Sequence, residues 1–212
     1  MVNNNLKLKE NIIEIEKILI NFGLVIGPAG NVSCRSNEKD KILITPSGVN
    51  RENISTNEII LIDLNGKIIE GKLAPSREVT MHLLIYKSFK EAGAIIHSHP
   101  PFSTALSIIR KPIPPLLDEF VVFVGEEVKA ADYAISGSQE LADNALKALG
   151  NNKAVLLSNH GLLCYGKDLD EALFITRLVE ETAKSYTYAL SIGAPYKIPE
   201  KIIKDLKKLT EK

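Results

Sequence analysis

The strongest constraint on the fold is a run of short apolar segments, several joined by tight turns, between two helix-rich ends. Residues 7–22 place apolar side chains at helical spacing, and Asp168 caps a second long helical pattern over residues 169–192. Asn65-Gly66 lies between two of the short segments and is a strong hairpin signal. The pattern predicts a three-layer α/β/α fold around a mixed sheet. Neither common glycine-rich nucleotide-binding motif is present, so nucleotide-binding folds lose support.

Turn residues divide the chain into further predicted elements. The predicted strands are 32–35, 41–45, 58–63, 67–70, 94–96, 120–124, a segment around Val128, 154–157 and 162–165. The other predicted helices are one that begins with Ser76 as its N-cap, 102–109, 138–149 and a basic C-terminal helix over 199–212.

Composition excludes several classes of protein. With 26 basic and 26 acidic side chains among 212 residues, the chain has no formal net charge, so no nucleic acid partner is expected. The apolar fraction of 45% is too high for disorder. No stretch approaches the roughly 18 to 20 apolar residues of a membrane span, so no membrane partner is expected. Residues 1–5 lack the pattern of a signal peptide, and we expect a cytoplasmic protein.

Residue usage supports two smaller predictions. Cys34 and Cys164 are far apart and belong to no metal-binding or redox pattern, which predicts two partly buried thiols. Isoleucine and lysine are abundant and glutamine occurs once, at Gln139. This bias fits a thermophile, or equally an AT-rich genome.

Three of the four histidines lie at the ends of apolar strands. His97 and His99 follow residues 94–96, and their spacing of two predicts that both imidazoles reach the same ion. His160 follows the apolar residues 154–157, so all three imidazoles converge if the two strands are neighbours. Three imidazoles with an open fourth position are typical of catalytic zinc, and a divalent metal site is predicted. His82 could support this site or lie on a helix surface, and the surface position is favoured.

Small residues and hydroxyls occur at three predicted turns: 29–31, 45–48 and 75–76. Glycines let the backbone approach an anion, and hydroxyls and amides supply donors. Each segment alone is more typical of an ordinary turn. Together they predict an anion site only if the fold brings them into contact.

In this order along the chain, the motifs around Gly30-Asn31, 44–48, 70–78, His97-Ser98-His99 and His160-Gly161 resemble the class II (zinc-dependent) aldolase and adducin family. The resemblance covers about residues 8–190 of a single domain 1–212, with a C-terminal helical tail at 191–212. It implies a mostly antiparallel central sheet and a homotetramer with sites near subunit interfaces.

The resemblance also implies roles for individual residues. Zn²⁺, or another divalent transition metal, would bind His97, His99 and His160, one ion per subunit. Glu78 would be the catalytic acid/base and could also contact the metal. The remaining matches belong to the substrate phosphate pocket: Asn31, Thr45, Gly48 and Ser76, with Gly30 and Ser47 in the same turns. Arg77 stands where the family more often has a second serine, and it could bind phosphate or point into solvent.

The implied reaction is reversible cleavage of a ketose 1-phosphate, of the L-fuculose 1-phosphate type, to dihydroxyacetone phosphate and an aldehyde. A metal-stabilised enediolate would form, with Glu78 transferring the proton. The tyrosine proton donor of some members has no clear counterpart, because the corresponding residues 116–119 read LLDE. The alternatives are a methylthioribulose-1-phosphate-type dehydratase, a pentulose-phosphate 4-epimerase, which typically has Asp in place of Glu78, and a non-enzymatic adducin-like interaction protein.

Overall fold

A computed structural model of the protein describes residues 5–208. Within this range the helices are α1 (Leu6–Asn21), α2 (Val79–Ser88), α3 (Pro101–Ile108), α4 (Asp118–Phe123), α5 (Gln139–Leu149), α6 (Leu169–Ile192) and α7 (Glu200–Lys207). The strands are β1 (Asn31–Arg35), β2 (Lys41–Ile44), β3 (Ile60–Asp63), β4 (Ile68–Glu70), β5 (Ala94–Ser98), β6 (Ala130–Ala131), β7 (Ala154–Leu157) and β8 (Gly161–Gly166). Residues 1–4 and 209–212 of the predicted domain and tail lie outside the described residues.

The strands form one sheet in the order β4-β3-β2-β1-β5-β8-β7-β6. Every neighbouring pair is antiparallel except β6 and β7, which are parallel. The predicted mixed, mostly antiparallel sheet is therefore confirmed. The hairpin at Asn65-Gly66 joins β3 to β4, and Gly66 has the positive φ of 86° that such a turn requires.

Strand residues alternate between two apolar layers, as the two-residue period of a strand requires. Ile42, Ile62 and Ile95 pack with α2 and α5 on one face of the sheet. Leu43 and Ile96 lie on the other face, which α1, α3, α4 and α6 cover. The three-layer α/β/α architecture follows from apolar side chains on both faces of the same strands.

Two predicted elements are wrong. Residues 120–124, predicted as a strand, belong mostly to helix α4, because a short apolar run has no period that distinguishes a strand from a buried helix. Ser76 is not the N-cap of α2, which begins at Val79 with Glu78 in the capping position. Its hydroxyl instead accepts a hydrogen bond of 3.2 Å from the Glu78 amide, within the turn that precedes the helix.

Two expectations from composition can be compared with the structure. Cys34 and Cys164 are buried free thiols, and burial raises the pKa of each to about 12. Across residues 5–208, no helix has both the length and the apolar character needed to cross a membrane.

Gly93, immediately before β5, is required by a close approach between two backbone segments. A Cβ at this position would lie 1.8 Å from the Lys167 carbonyl oxygen, which follows β8. Gly93→Ala should therefore lower the free energy of unfolding by about 3 kcal/mol or more, the upper range for overpacking, because a backbone atom must move. Urea denaturation measures this. The control Gly193→Ala meets no atom within 4 Å and should change stability little, so equal stability of both variants would contradict the packing argument.

Candidate active site

The site lies at one edge of the sheet, where the carboxyl end of β5 meets the beginnings of β1 and β8. His97 of β5 pairs with Asn31 of β1 on one side and with Leu163 of β8 on the other. The strand that His160 follows, β7, is not a neighbour of β5, because β8 lies between them, so the condition of adjacent strands is not met and the imidazoles converge by another route. A tight turn, closed by the His160 amide donating to the Leu157 carbonyl at 3.0 Å, returns His160 to the start of β8.

Three imidazoles converge at this edge. One nitrogen from each of His97, His99 and His160 lies within 4.8 Å of the others, and the Nε2 atoms of His97 and His99 are 3.0 Å apart. His97 Nδ1 donates to the Leu162 carbonyl at 2.9 Å, because a carbonyl oxygen can only accept. This bond fixes the tautomer and leaves the Nε2 lone pair directed into the cluster, as metal ligands require.

The cluster is close-packed because Gly161 has no side chain. A Cβ there would lie 2.4 Å from the Ser98 carbonyl oxygen and 2.7 Å from Cδ2 of His99. Any larger residue would displace the segment that carries His99.

Burial keeps two of the imidazoles neutral. Desolvation, together with electrostatic interaction with the neighbouring His97, lowers the pKa of His99 to about 3 and that of His160 to about 4. Both rings are therefore uncharged at neutral pH, which is the form that binds a metal ion.

Glu78 places its carboxylate against the same cluster. Its Oε2 lies 3.1 Å from His97 Nε2, and its Oε1 lies 3.3 Å from His160 Nε2. Asn31 Nδ2 donates to Oε2 at 2.9 Å, and the Ser136 hydroxyl donates to Oε1 at 3.0 Å. Burial alone would raise the pKa of Glu78, but electrostatic interaction with the neighbouring His97 and His160 and these hydrogen bonds lower it to about 2. The side chain is an ionised carboxylate at neutral pH.

His82 supports this arrangement from beneath, so its favoured position on the helix surface is wrong. The ring is fully buried, and its Nε2 lies 2.6 Å from Asn31 Oδ1. Since the Asn31 amide nitrogen donates to Glu78, Oδ1 must accept, and His82 Nε2 carries the proton. Burial lowers the pKa of His82 to about 3, which keeps the ring neutral.

The hydrogen-bond network extends further into the core, and the donor and acceptor of each bond can be assigned. With its proton on Nε2, His82 accepts at Nδ1 from the Ser33 hydroxyl at 2.7 Å. Ser33 then accepts from the Tyr86 hydroxyl at 2.9 Å. Every member has a partner, so the network holds the Asn31 amide in a single orientation.

A cavity of about 370 Å³ opens beside the carboxylate and the imidazoles. It brings together most residues of the predicted site, with lining residues that include Gly30, Asn31, Ser47, Gly48, Ser76, Arg77, Glu78, His99 and His160. Arg77 is exposed at this cavity. Thr45 lies beneath it, fully buried, and its hydroxyl accepts from the Val32 amide at 3.1 Å.

Backbone hydrogen bonds join two of the predicted turns. Ser47 N–H donates to the Ala74 carbonyl at 3.0 Å, and Ser76 N–H donates to the Thr45 carbonyl at 3.1 Å. These bonds align residues 45–47 with residues 74–76 as a short antiparallel bridge. The turns that the sequence could not place relative to one another therefore lie side by side.

Sequence reasoning missed two polar residues of the site region, Ser136 and Arg51, and favoured the wrong position for a third, His82. Ser136 follows no recognisable motif, and Arg51 carries no local signal that it lies beneath the cavity. For His82, the spacing of four from Glu78 was a usable signal, because it places both on one face of a helix.

A larger, open depression of about 740 Å³ lies at the opposite end of β1. Its described lining mixes basic residues, Arg35 among them, with the acidic Glu38 and Asp40, and it contains no histidine. Chemistry rather than size therefore identifies the smaller cavity as the candidate active site.

Comparisons with known proteins agree on one family. The family described as Class II Aldolase and Adducin N-terminal domain matches residues 10–187. An L-fuculose phosphate aldolase of Escherichia coli is 39% identical over 189 residues, which cover 89% of this chain and 86% of the relative. A 5-deoxy-D-ribulose 1-phosphate aldolase of Bacillus thuringiensis serovar kurstaki is 31% identical over 205 residues, covering 97% of this chain and 96% of the relative.

A solved structure described as L-fuculose 1-phosphate aldolase superposes with a TM-score of 0.93 at 35% identity, covering 97% of each chain. The sequence match and the structural match each span most of the domain. These matches, with the histidine cluster and its carboxylate, show that the chain is a lyase and belongs to the class II aldolase and adducin family.

Proposed function

We propose that the protein is a metal-dependent aldolase that reversibly cleaves a ketose 1-phosphate to dihydroxyacetone phosphate and an aldehyde. One observation carries this proposal: a single cavity joins a three-imidazole cluster, an ionised carboxylate and a set of turns rich in hydroxyls and amides. A substrate that carries both a carbonyl and a phosphate requires these groups together.

His97, His99 and His160 would hold the metal, which we propose to be Zn²⁺. The chemistry of the donors fits, because two of the rings are kept neutral by burial and the third is oriented by the Leu162 carbonyl. When bound there, a divalent ion supplies a Lewis acid that stabilises negative charge on substrate oxygens.

Glu78 would transfer the proton at the reacting carbon. It is the buried carboxylate of the cavity, and each of its oxygens is held by one neutral donor, from Asn31 or Ser136. These donors orient the carboxylate without neutralising it. General acid–base catalysis by a positioned group typically contributes about 10²- to 10⁴-fold to the rate.

The turns at Gly30, Ser47, Gly48 and Ser76 would bind the phosphate, with Thr45 supporting them from below. Glycine allows close backbone approach, and the serines add hydroxyl donors. The Arg77 side chain is available at the cavity for a charge-assisted bond to phosphate. Binding the phosphate away from the reacting carbons would fix the substrate in a productive orientation.

The class of substrate is supported by relatives named for L-fuculose phosphate and for 5-deoxy-D-ribulose 1-phosphate. We propose a ketose 1-phosphate of the L-fuculose 1-phosphate type. The test is a parallel assay of L-fuculose, 5-deoxyribulose and methylthioribulose 1-phosphates, coupled to detection of dihydroxyacetone phosphate. Consumption of a substrate without release of dihydroxyacetone phosphate would indicate a dehydratase or an epimerase instead.

We also propose a homotetramer with sites near subunit interfaces. Tyr133 and Ile135 are 57% and 73% exposed and come shortly before Ser136, which contacts the carboxylate of the site. Exposed apolar groups beside a functional cavity are typical of an interface. Light scattering of the purified protein measures the assembly. A cytoplasmic location and a thermophilic source stay predictions.

Glu78→Gln should reduce kcat by about 10²- to 10⁴-fold, because the amide keeps the shape of the side chain but cannot accept the proton. Metal content, measured by atomic emission, should stay that of the wild type because the three histidines are untouched. The exposed Glu140→Gln variant is the control and should keep full activity. A fully active Glu78→Gln enzyme would rule out this residue as the acid/base.

Removal of the metal with a chelator should abolish cleavage, and added Zn²⁺ should restore it, because the ion supplies the Lewis acid. His99→Ala should bind less metal and lose activity in parallel. Circular dichroism should show an intact fold in the chelated protein, since the sheet already gathers the histidines. Undiminished cleavage by the metal-free protein would contradict the proposed mechanism.

His82→Leu should lower both stability and turnover. The change leaves the Asn31 side-chain carbonyl without its buried donor and the Ser33 hydroxyl hydrogen without its acceptor, at about 1–3 kcal/mol for each such group. With Asn31 no longer held in one orientation, kcat should fall about tenfold, the equivalent of roughly 1.4 kcal/mol of lost transition-state stabilisation. The exposed Lys87→Leu variant on the same helix is the control. Destabilisation with an unchanged kcat would confine His82 to a structural role.

A further inference from the structure

We propose that Arg51 is a positioning residue that shapes the phosphate pocket from beneath, with Glu16 as its buried counter-charge. The phosphate pocket here means the turns at residues 30–31, 45–48 and 74–76. This inference rests on the proposed function of the cavity as a site for a sugar phosphate. In this role Arg51 does not contact the phosphate itself but holds the backbone that would bind it.

The guanidinium of Arg51 bonds two of these turns at once. Nη1 donates to the Pro46 carbonyl at 2.9 Å, and Nη2 donates to the Gly30 carbonyl at 3.0 Å. The residue is only 1% exposed, although it lines the floor of the cavity. Two turns that lie sixteen positions apart in sequence are thereby held by one rigid, planar group.

The third turn, at residues 74–76, is joined through the peptide between Pro46 and Ser47. Because a peptide bond is planar, a hydrogen bond to the Pro46 carbonyl also fixes the direction of the Ser47 N–H. That N–H donates to the Ala74 carbonyl at 3.0 Å, two residues before Ser76. Arg51 thus holds the peptide through which all three turns are connected.

Glu16 of α1 provides the counter-charge. Its side chain is fully buried, and its Oε1 lies 3.6 Å from Nε of Arg51. Among the described residues, neither oxygen has a hydrogen-bond partner. Burial outweighs the attraction of Arg51 and raises the pKa of Glu16 to about 7. Because Glu16 makes no hydrogen bond to Arg51, the ion pair between them contributes little to stability. This favours a role for Arg51 in holding the turns.

The two-pronged geometry requires arginine. Two carbonyls on different turns and a carboxylate on a third segment surround the side chain, and the fork of the guanidinium faces them simultaneously. The ammonium of lysine is a single point charge and cannot span both carbonyls. Arg51→Lys therefore keeps the positive charge but cannot form the two simultaneous hydrogen bonds to the Pro46 and Gly30 carbonyls.

Arg35 offers a matched control. Like Arg51, it is an arginine that donates to backbone carbonyls, those of Ala92 and Tyr86, both at 2.8 Å. Its side chain is partly buried. It lies at the opposite end of β1, away from the cavity. If Arg51 were merely a structural residue, Arg35→Lys and Arg51→Lys would have similar consequences.

The test compares the affinity of the metal-loaded protein for inorganic phosphate, measured by calorimetry, with kcat and KM for a ketose 1-phosphate. Arg51→Lys should weaken phosphate binding and raise KM by about tenfold, with kcat within about threefold of the wild type. Arg35→Lys should change the phosphate affinity by less than about twofold even where it lowers the melting temperature. Wild-type phosphate affinity in a folded Arg51→Lys protein would overturn the proposal.

A second variant guards against a folding defect. The double variant E16M/R51M replaces the buried pair by apolar side chains and leaves no unpaired charge, a change that is often tolerated. It should fold and show the same loss of phosphate affinity. Normal affinity in this variant, or failure of both Arg51 variants to fold, would also overturn the proposal.

Different results would overturn the proposed function and the role of Arg51. A wild-type protein that neither binds phosphate nor cleaves any ketose 1-phosphate would overturn the proposed function, and the role of Arg51 with it. A wild type that does both, together with unaffected Arg51 variants, would overturn only the role of Arg51.

Discussion

The site depends on one feature of the sheet, the antiparallel pairing of β5 with both of its neighbours. In antiparallel pairs the end of one strand lies beside the beginning of the next, so the carboxyl end of β5 meets the first residues of β1 and β8. Backbone pairing alone places Asn31 opposite His97 and starts β8 one residue after His160. Side chains distant in sequence are therefore gathered by a buried hydrogen-bond ladder rather than by loops.

The same strand order forces polar groups into the interior. On the face of β1 toward α2, Asn31 and Ser33 are buried where other strands carry apolar residues. Burial of these groups is unfavourable unless each finds a partner. His82 and Tyr86 of α2 supply the partners in only one donor–acceptor arrangement, which ends at the Glu78 carboxylate. The hydrogen bonds that satisfy these buried groups therefore also orient the proposed acid/base.

The predictable parts of the structure are those with local signals. The hairpin at Asn65-Gly66 and the histidines after apolar strands follow from turn chemistry and from the alternation of side chains along a strand. The short apolar run at 120–124 was misassigned, because its burial, not its period, decides its structure. Arg51 could not be placed, and the spacing of His82 from Glu78 did not reveal its hydrogen-bond partners on β1, since these partners lie on segments distant in sequence that only the folded chain brings together.

A zero net charge hides a separation of charge within the cavity. One side holds the Glu78 carboxylate among imidazoles, and the other holds Arg77 at the surface with Arg51 beneath. The peptide between Gly30 and Asn31 belongs to both sides, because its carbonyl accepts from Arg51 while the Asn31 side chain donates to Glu78. That peptide therefore links the turn that would bind phosphate to the residue that orients the carboxylate, while His82 holds the Asn31 side chain itself in place. Under the proposed function, the groups that would position the substrate and transfer the proton are therefore attached to one rigid peptide unit.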